Sequence, residues 1–388
     1  MKSTALTRIA AVACFAAAAS PAQVSPQNLP HYRVTDLGVL GSGYGISSNG
    51  QVVGATQTGT AFLWRRGQII NLGTLGGANS GASGVNASGE VALSSETSML
   101  DNEDFCAFHT HHQCLAAFWK NGALTKLPPI PGGHNSQAYS INQQGEVIGF
   151  AENGFPDSSC ASGTPSQVVR YQPVIWGPNG EIRKTLQPFG GDEVAFAWGI
   201  NNRGQSVGGS GPCSTTSLPP NIPFAVNAVL WEKDGTPKFL GNLGGAFSIP
   251  TAINNRGEVV GGAESAKDGM GHIFLWTEHT GMQDLGTFPG AAFTVAPCCN
   301  TINDRGQIAG FVMDTNGNQR AFLWQNDVWM DVNDLIPKNS GWILQAAESI
   351  DNAGQITGSG TIRGEVHAFL ATPCGDDGEA ENCGSPDR

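Results

Sequence analysis

Leu240-Gly241-Asn242-Leu243-Gly244-Gly245 opens a stretch that runs through Ala252-Ile253-Asn254-Asn255-Arg256-Gly257-Glu258-Val259-Val260-Gly261 and Ile273-Phe274-Leu275-Trp276. It ends at Gly281 and Asp284-Leu285-Gly286. With variations, the same order of elements recurs seven times. The turn element reads Ile or Val, then Asn (Ser47 and Asp351 in two copies), two residues, Gly, and Gln or Glu. Its glycines are Gly50, Gly89, Gly145, Gly204, Gly257, Gly306 and Gly354, between 39 and 59 residues apart. Short apolar runs follow, as in Val52-Val53-Gly54 and Ile308-Ala309-Gly310, and then Ala61-Phe62-Leu63-Trp64 or Ala321-Phe322-Leu323-Trp324.

Short segments rich in Val, Ile, Phe and Trp and bounded by Gly, Asn or Asp read as strands and turns. Asn-x-x-Gly has the length of a tight hairpin loop, with Gly taking the positive φ. Phe-Leu-Trp is apolar at successive positions, so both faces of that strand must be covered. Four antiparallel strands per repeat, covered on both sides, describe a β-propeller blade packed between two others. A solenoid of the same period would leave two open ends in need of caps. The seventh copy stops near Leu370 without an Asp-Leu-Gly strand, whereas an orphan Asp36-Leu37-Gly38 precedes the first turn. The reading is therefore an all-β, seven-bladed propeller over residues 31–373, its ring closed by the N-terminal strand completing the last blade. Such closure removes edges that would otherwise invite aggregation.

Residues 1–22 read as a signal peptide: Lys2 and Arg8, an apolar run from Ile9 to Ala19, then Ser20-Pro21-Ala22. Lipid attachment through Cys14 is the lesser alternative, because only five apolar residues precede it. No other apolar stretch approaches membrane-spanning length. The formal charge of −12 becomes −14 once Lys2 and Arg8 leave with the signal, which opposes nucleic-acid and anionic-membrane partners. The eight cysteines of the mature chain suit an oxidising compartment. Proximity suggests Cys106–Cys114 within one insert and Cys374–Cys383 clipping the mobile acidic tail 374–388. Cys160 and Cys213 lie in equivalent inserts of neighbouring blades, and Cys298-Cys299 is left as a vicinal disulfide or a thiol pair.

Leu72-Gly73-Thr74-Leu75-Gly76-Gly77, Ile253-Asn254-Asn255-Arg256-Gly257 and His367-Ala368-Phe369-Leu370 resemble the HAF repeat family of extracellular repeat proteins over residues 32–373. Copy two departs from the pattern at Leu93, where Gly is usual, and at the compressed Ala116-Ala117-Phe118-Trp119; copy seven has Ala371 in place of Trp. The resemblance implies export and a repeat architecture and brings no catalytic residues.

Alternating strand direction places the Asn-x-x-Gly turns on one face and every long loop on the other. Inserts at Ser94–Leu115, Ala151–Tyr171 and Ser210–Val226 join that second face, and long loops on a rigid scaffold are where binding or catalysis usually resides. His109, His111 and His112, with Asp101, Glu103 and Asp104 upstream, are candidate ligands for a divalent metal such as zinc or copper; a water-facing polar loop is the plainer reading. His134, Asp192 and Glu193, each next to a Gly-Gly pair, are candidates for acid–base work at a channel mouth. Solvated loop acids are commoner. The recurrent Gln or Glu after each turn glycine reads as a structural hydrogen bond. The third-strand tryptophans (Trp64, Trp119, Trp176, Trp231, Trp276, Trp324) read as blade packing with the indole N–H bonded to backbone. Trp342 falls outside that register and is the aromatic candidate for ligand contact.

The function expected is an exported, monomeric binding or scaffold module whose loop-rich face takes a polysaccharide or an extracytoplasmic protein, with no cofactor. The alternative is a propeller hydrolase or lyase acting on glycans. A third class is redox or metal sequestration through the histidine insert and Cys298-Cys299.

Overall fold

The computed structural model describes residues 29–101, 103, 105–106, 108–162, 169–213 and 226–374. The expected signal peptide, Cys14, Cys383 and nearly all of the tail lie outside them, as does Asp104. Among the described residues the structure is almost wholly strand, with two short 3-10 turns, Ser158–Ser162 and Val332–Asp334.

Strand β1 (Tyr32–Ile46) leads the first repeat, with β2 (Val52–Thr56), β3 (Ala61–Arg65) and β4 (Gln68–Asn71). The second holds β5 (Gly76–Val85), β6 (Val91–Leu100), β7 (His112–Lys120) and β8 (Ala123–Lys126); the third β9 (Ser136–Ile141), β10 (Val147–Pro156), β11 (Val169–Trp176) and β12 (Ile182–Thr185). The fourth holds β13 (Val194–Ile200), β14 (Ser206–Gly211), β15 (Asn227–Trp231) and β16 (Pro237–Phe239); the fifth β17 (Gly244–Ile253), β18 (Val259–Ser265), β19 (Gly271–Thr277) and β20 (Gly281–Gly286). The sixth holds β21 (Phe293–Val295), β22 (Ile308–Met313), β23 (Gln319–Gln325) and β24 (Val328–Asp331), and the seventh β25 (Trp342–Ile350), β26 (Ile356–Ile362) and β27 (Glu365–Pro373).

Repeats two to six each form a four-stranded antiparallel sheet, giving a propeller-like all-β fold. The seventh and first share one seven-stranded sheet, ordered β25-β26-β27-β1-β2-β3-β4. β1 serves both: Tyr32 to Leu40 pair with β27, and Gly41 to Ile46 pair with β2. The expected meeting of head and tail of the chain is therefore present, and His367 Nδ1 adds a 2.9 Å contact to the Asp36 carboxylate. The change of partner falls at a bulge between Asp36 and Leu40 and at Gly41, where a Cβ would collide with the Ala55 backbone.

The apolar cores lie between successive repeats. Val53, Ala61 and Leu63 of the first pack on Val91, Leu93 and Trp119 of the second. Leu37, Val39 and Ile46 of β1 pack with Val52, Phe62, Ala368 and Leu370, joining last repeat to first. Third-strand tryptophans fill these layers, and the buried Trp176 and Trp231 indoles donate to the Pro128 and Gln187 carbonyls, each at 2.8 Å. That meets the hydrogen-bonding requirement of a buried indole.

Candidate functional site

The turn end is built from short-range chemistry. In five repeats the turn asparagine accepts two backbone N–H groups of its own turn and donates to the Gln or Glu four residues on, as Asn201 does to Gln205 and Asn254 to Glu258. The recurrent Gln or Glu is thus a hairpin bond in these copies. Residues from all seven turns line one cavity of about 100 Å³, with Asn142, Asn201, Asn254, Asn303 and Asp351 on its wall.

Because strand direction alternates, the ends of second strands and the starts of first and third strands gather at the opposite end. The second insert is not a free loop there. β6 and β7 continue into it, with Glu96 opposite Cys114 and Leu100 opposite His112. The third likewise continues β10 and β11, with Pro156 opposite Val169. Long alternating stretches that already have a pairing partner extend the ladder instead of looping. Disulfides Cys106–Cys114 and Cys160–Cys213 staple these hairpins, the latter joining the third repeat to the fourth, and Cys298–Cys299 is a vicinal disulfide. The expected Cys374–Cys383 pair has one member outside the described residues. Beneath the first two staples lies an aromatic cluster of Phe105, Tyr139, Phe150, Tyr171, Phe196 and Trp198. Met99, Leu100, Phe155, Met270, Phe293 and Ile343 are exposed at this same end, Leu100 by 80% and Phe155 by 69%.

The predicted carboxylates are occupied. Asp192 accepts from Ser210 Oγ and Asn227 Nδ2 at 2.8 and 3.1 Å; Glu193 accepts from Cys213 N at 2.9 Å and faces Arg170. They hold the fourth insert and do not converge with His134. His134 is exposed, its N–H donates to Glu152 and its carbonyl accepts from Gln113. Trp342 is 9% exposed, edge-on to His367 and Phe369. That burial makes it a packing residue of the seventh repeat, a correction to its reading as a ligand platform. His112 Nδ1 lies 3.1 Å from the Thr110 carbonyl, and His109 and His111 have left-handed backbone. Among the described residues no three His, Cys, Asp or Glu side chains come together to hold a metal.

Two features escaped sequence reading. Glu96, Glu152 and Glu264 recur at one position of the second strand, and each carboxylate accepts backbone N–H groups of the preceding Gly-Gly loop. A Cβ on Gly77, Gly133 or Gly245 would strike the very Glu that holds its loop, which explains the second glycine of the motif. The other is a set of bulges, each skipping the residue two before the Ile or Val that ends a first strand: Tyr44, Ser83, Tyr139, Trp198, Thr251 and Glu348. Most are partly exposed between buried neighbours. Glu348 forms no hydrogen bond or ion pair among the described residues, and burial pushes its carboxyl up to about 7. Burial, then Glu348, raises the Tyr44 phenol. The signal was there in principle: a variable position flanked by small residues in copy after copy, as in Gly43-Tyr44-Gly45, Ala197-Trp198-Gly199 and Ala347-Glu348-Ser349.

A family model described as a protein of unknown function (DUF3466) matches residues 241–371, essentially the last three repeats. No curated protein matches the chain. Among solved structures, puromycin hydrolase is similar over 89% of this chain and 52% of that one, at 13% identity and a TM-score of 0.50. The chain thus spans about half the length of that protein. An oligogalacturonate lyase in complex with manganese is similar over 88% of this chain and 93% of that one, at 11% identity and a TM-score of 0.49. A gluconolactonase from Xanthomonas campestris covers 88% and 90%, at 10% identity and a TM-score of 0.41. At such identities the likeness concerns the fold alone.

Proposed function

We propose that the seven repeats close into a seven-bladed propeller of the HAF repeat kind, exported as a binding or scaffold module that works through its stapled, loop-rich end. The ligand is an extracytoplasmic protein or a polysaccharide, and the protein reading is favoured. The observation that carries it is the gathering of Met99, Leu100, Phe155, Met270, Phe293 and Ile343 at that end. Exposed apolar side chains collected on one surface mark interaction sites, and four of these six are aliphatic or thioether groups, which suit protein packing better than sugar stacking. Disulfides support an oxidising compartment. The alternative, a glycan hydrolase or lyase, is favoured by one observation, the near-neutral carboxyl of Glu348 on the inner wall.

The test is retention of the full chain on immobilised polysaccharides and on extracytoplasmic proteins. A Leu100→Ser/Phe155→Ser/Ile343→Ser variant and a turn-end control, Ser88→Arg, are run beside it. The expected result is one reproducible ligand, bound at least about tenfold more weakly by the triple variant and equally by the control. Equal binding by all three proteins, or no binding to any ligand, overturns the reading.

A further inference from the structure

Five junctions between successive turns are made the same way. Asn86, Asn142, Asn201, Asn254 and Asn303 each donate from Nδ2 to the backbone carbonyl at the same position of the next repeat, over 2.8–3.4 Å. In the seventh repeat that position is Asp351. Its Oδ1 accepts from Ala353 and Gln355 N–H groups, as the asparagine Oδ1 does elsewhere, but its Oδ2 is buried without a hydrogen-bond partner. The last-to-first junction otherwise keeps the common geometry: the Gln355 side chain lies against the Gly50 site as that of Gln307 lies against Gly354. By that repeat the Asp351 Oδ2 falls to the Ser47 carbonyl. An ionised carboxylate there sets acceptor against acceptor with no proton between them, a costly arrangement out of water.

The groups around Asp351 are few. Arg305 of the sixth repeat favours ionisation, and the Tyr32 phenol of β1 is charge-coupled to it, its own hydroxyl buried and unpartnered. Asp304 shares the cavity wall, and Glu348 precedes Asp351 on the same strand, beside Tyr44 of β1. The first-repeat turn residues Ser47, Asn49 and Gln51 do not titrate. Burial outweighs Arg305 and holds the Asp351 carboxyl above its ordinary value.

We propose that the junction of last and first repeats is a proton-sensitive latch. Neutral Asp351 donates to the Ser47 carbonyl the bond that asparagine makes at five other junctions, and release of that proton to solvent loosens β1. Because the folded-state value is raised, the added stability is complete below the unfolded value of 3.8 and is lost as pH rises through the folded one. Glu348, raised from 4.5 to about 7, acts in the same direction. The proposal does not depend on the ligand-binding reading.

Thermal unfolding of the full chain between about pH 4 and pH 8.5 tests it, with Asp351→Asn and Glu348→Gln beside the unaltered protein. Asparagine donates at every pH, so the Tm of Asp351→Asn relative to the unaltered chain should climb by about 3 °C or more across that range. Combining it with Glu348→Gln should leave that climb in place. A difference that stays constant, or shrinks as an ionised Asp351 paired with Arg305 would make it, overturns the proposal. Hydrogen exchange on the unaltered chain gives a readout that needs no variant. Corrected for intrinsic rates, amides of residues 32–46 should lose protection relative to those of 308–313 between about pH 5 and pH 8; parallel behaviour of the two segments overturns the latch.

Discussion

Gly149 illustrates how a repeat position acquires its residue. It sits opposite the bulge at Tyr139, and a Cβ there would drive into the Gln137 carbonyl and the Ala138 backbone. Gly54, Gly208, Gly261, Gly310 and Gly358 face the same obstacle from their own first strands. Backbone atoms cannot swing aside as a side chain can, so the glycine of Val-Val-Gly is required by close approach and not by φ. Gly149→Ala should therefore destabilise the protein by about 3 kcal/mol, read as a lower midpoint in urea unfolding. The motif was legible in the sequence; its cause, a bulge on another strand, was not.

At the scale of the element, β19 and β20 are tied by a histidine that sequence reading passed over. His272 Nδ1 lies 2.7 Å from Asp284 Oδ1, and Nε2 lies 3.0 Å from Asp268 Oδ2 in the preceding loop. Burial works to lower its pKa, but hydrogen bonds and charge from both aspartates outweigh it and leave the ring above 6.5. The doubly protonated ring donates to both carboxylates. This contribution is fully present below the unfolded value of 6.5 and is lost as pH rises through the folded one. His272→Gln should cost about 1 kcal/mol near pH 5.5 and little near pH 9, checked by urea midpoints at both pH values. The inserts teach a related lesson about elements. Histidines in a polar loop suggested metal chemistry, whereas Leu100–His112 pairing turns most of that segment into hairpin.

For the whole molecule, the decisive element is β1, which belongs to two repeats at once. Removing residues 1–40 would strip the outer strand from the seventh repeat and leave β27 with an unpaired edge. Such an edge is a template for association, so the shortened chain should leave the monomer peak in size-exclusion chromatography with light scattering. A stable, monomeric product would show that β27 does not need its partner. What the sequence by itself determined is local: the repeat, the strand and turn alternation, and the glycine and asparagine of each hairpin, because these depend on residues a few positions apart. Even the head-to-tail pairing was legible, since one surplus strand at the start matched one missing at the end. Tertiary structure alone decided which polar groups are left unpaired. Asp192 and Glu193 became scaffold because Ser210, Cys213 and Asn227 reach them from neighbouring strands, and Glu348 and Asp351 stayed alone because nothing across the junction donates to them. Those are relations between residues brought together only when the chain's ends meet, and no local pattern encodes them.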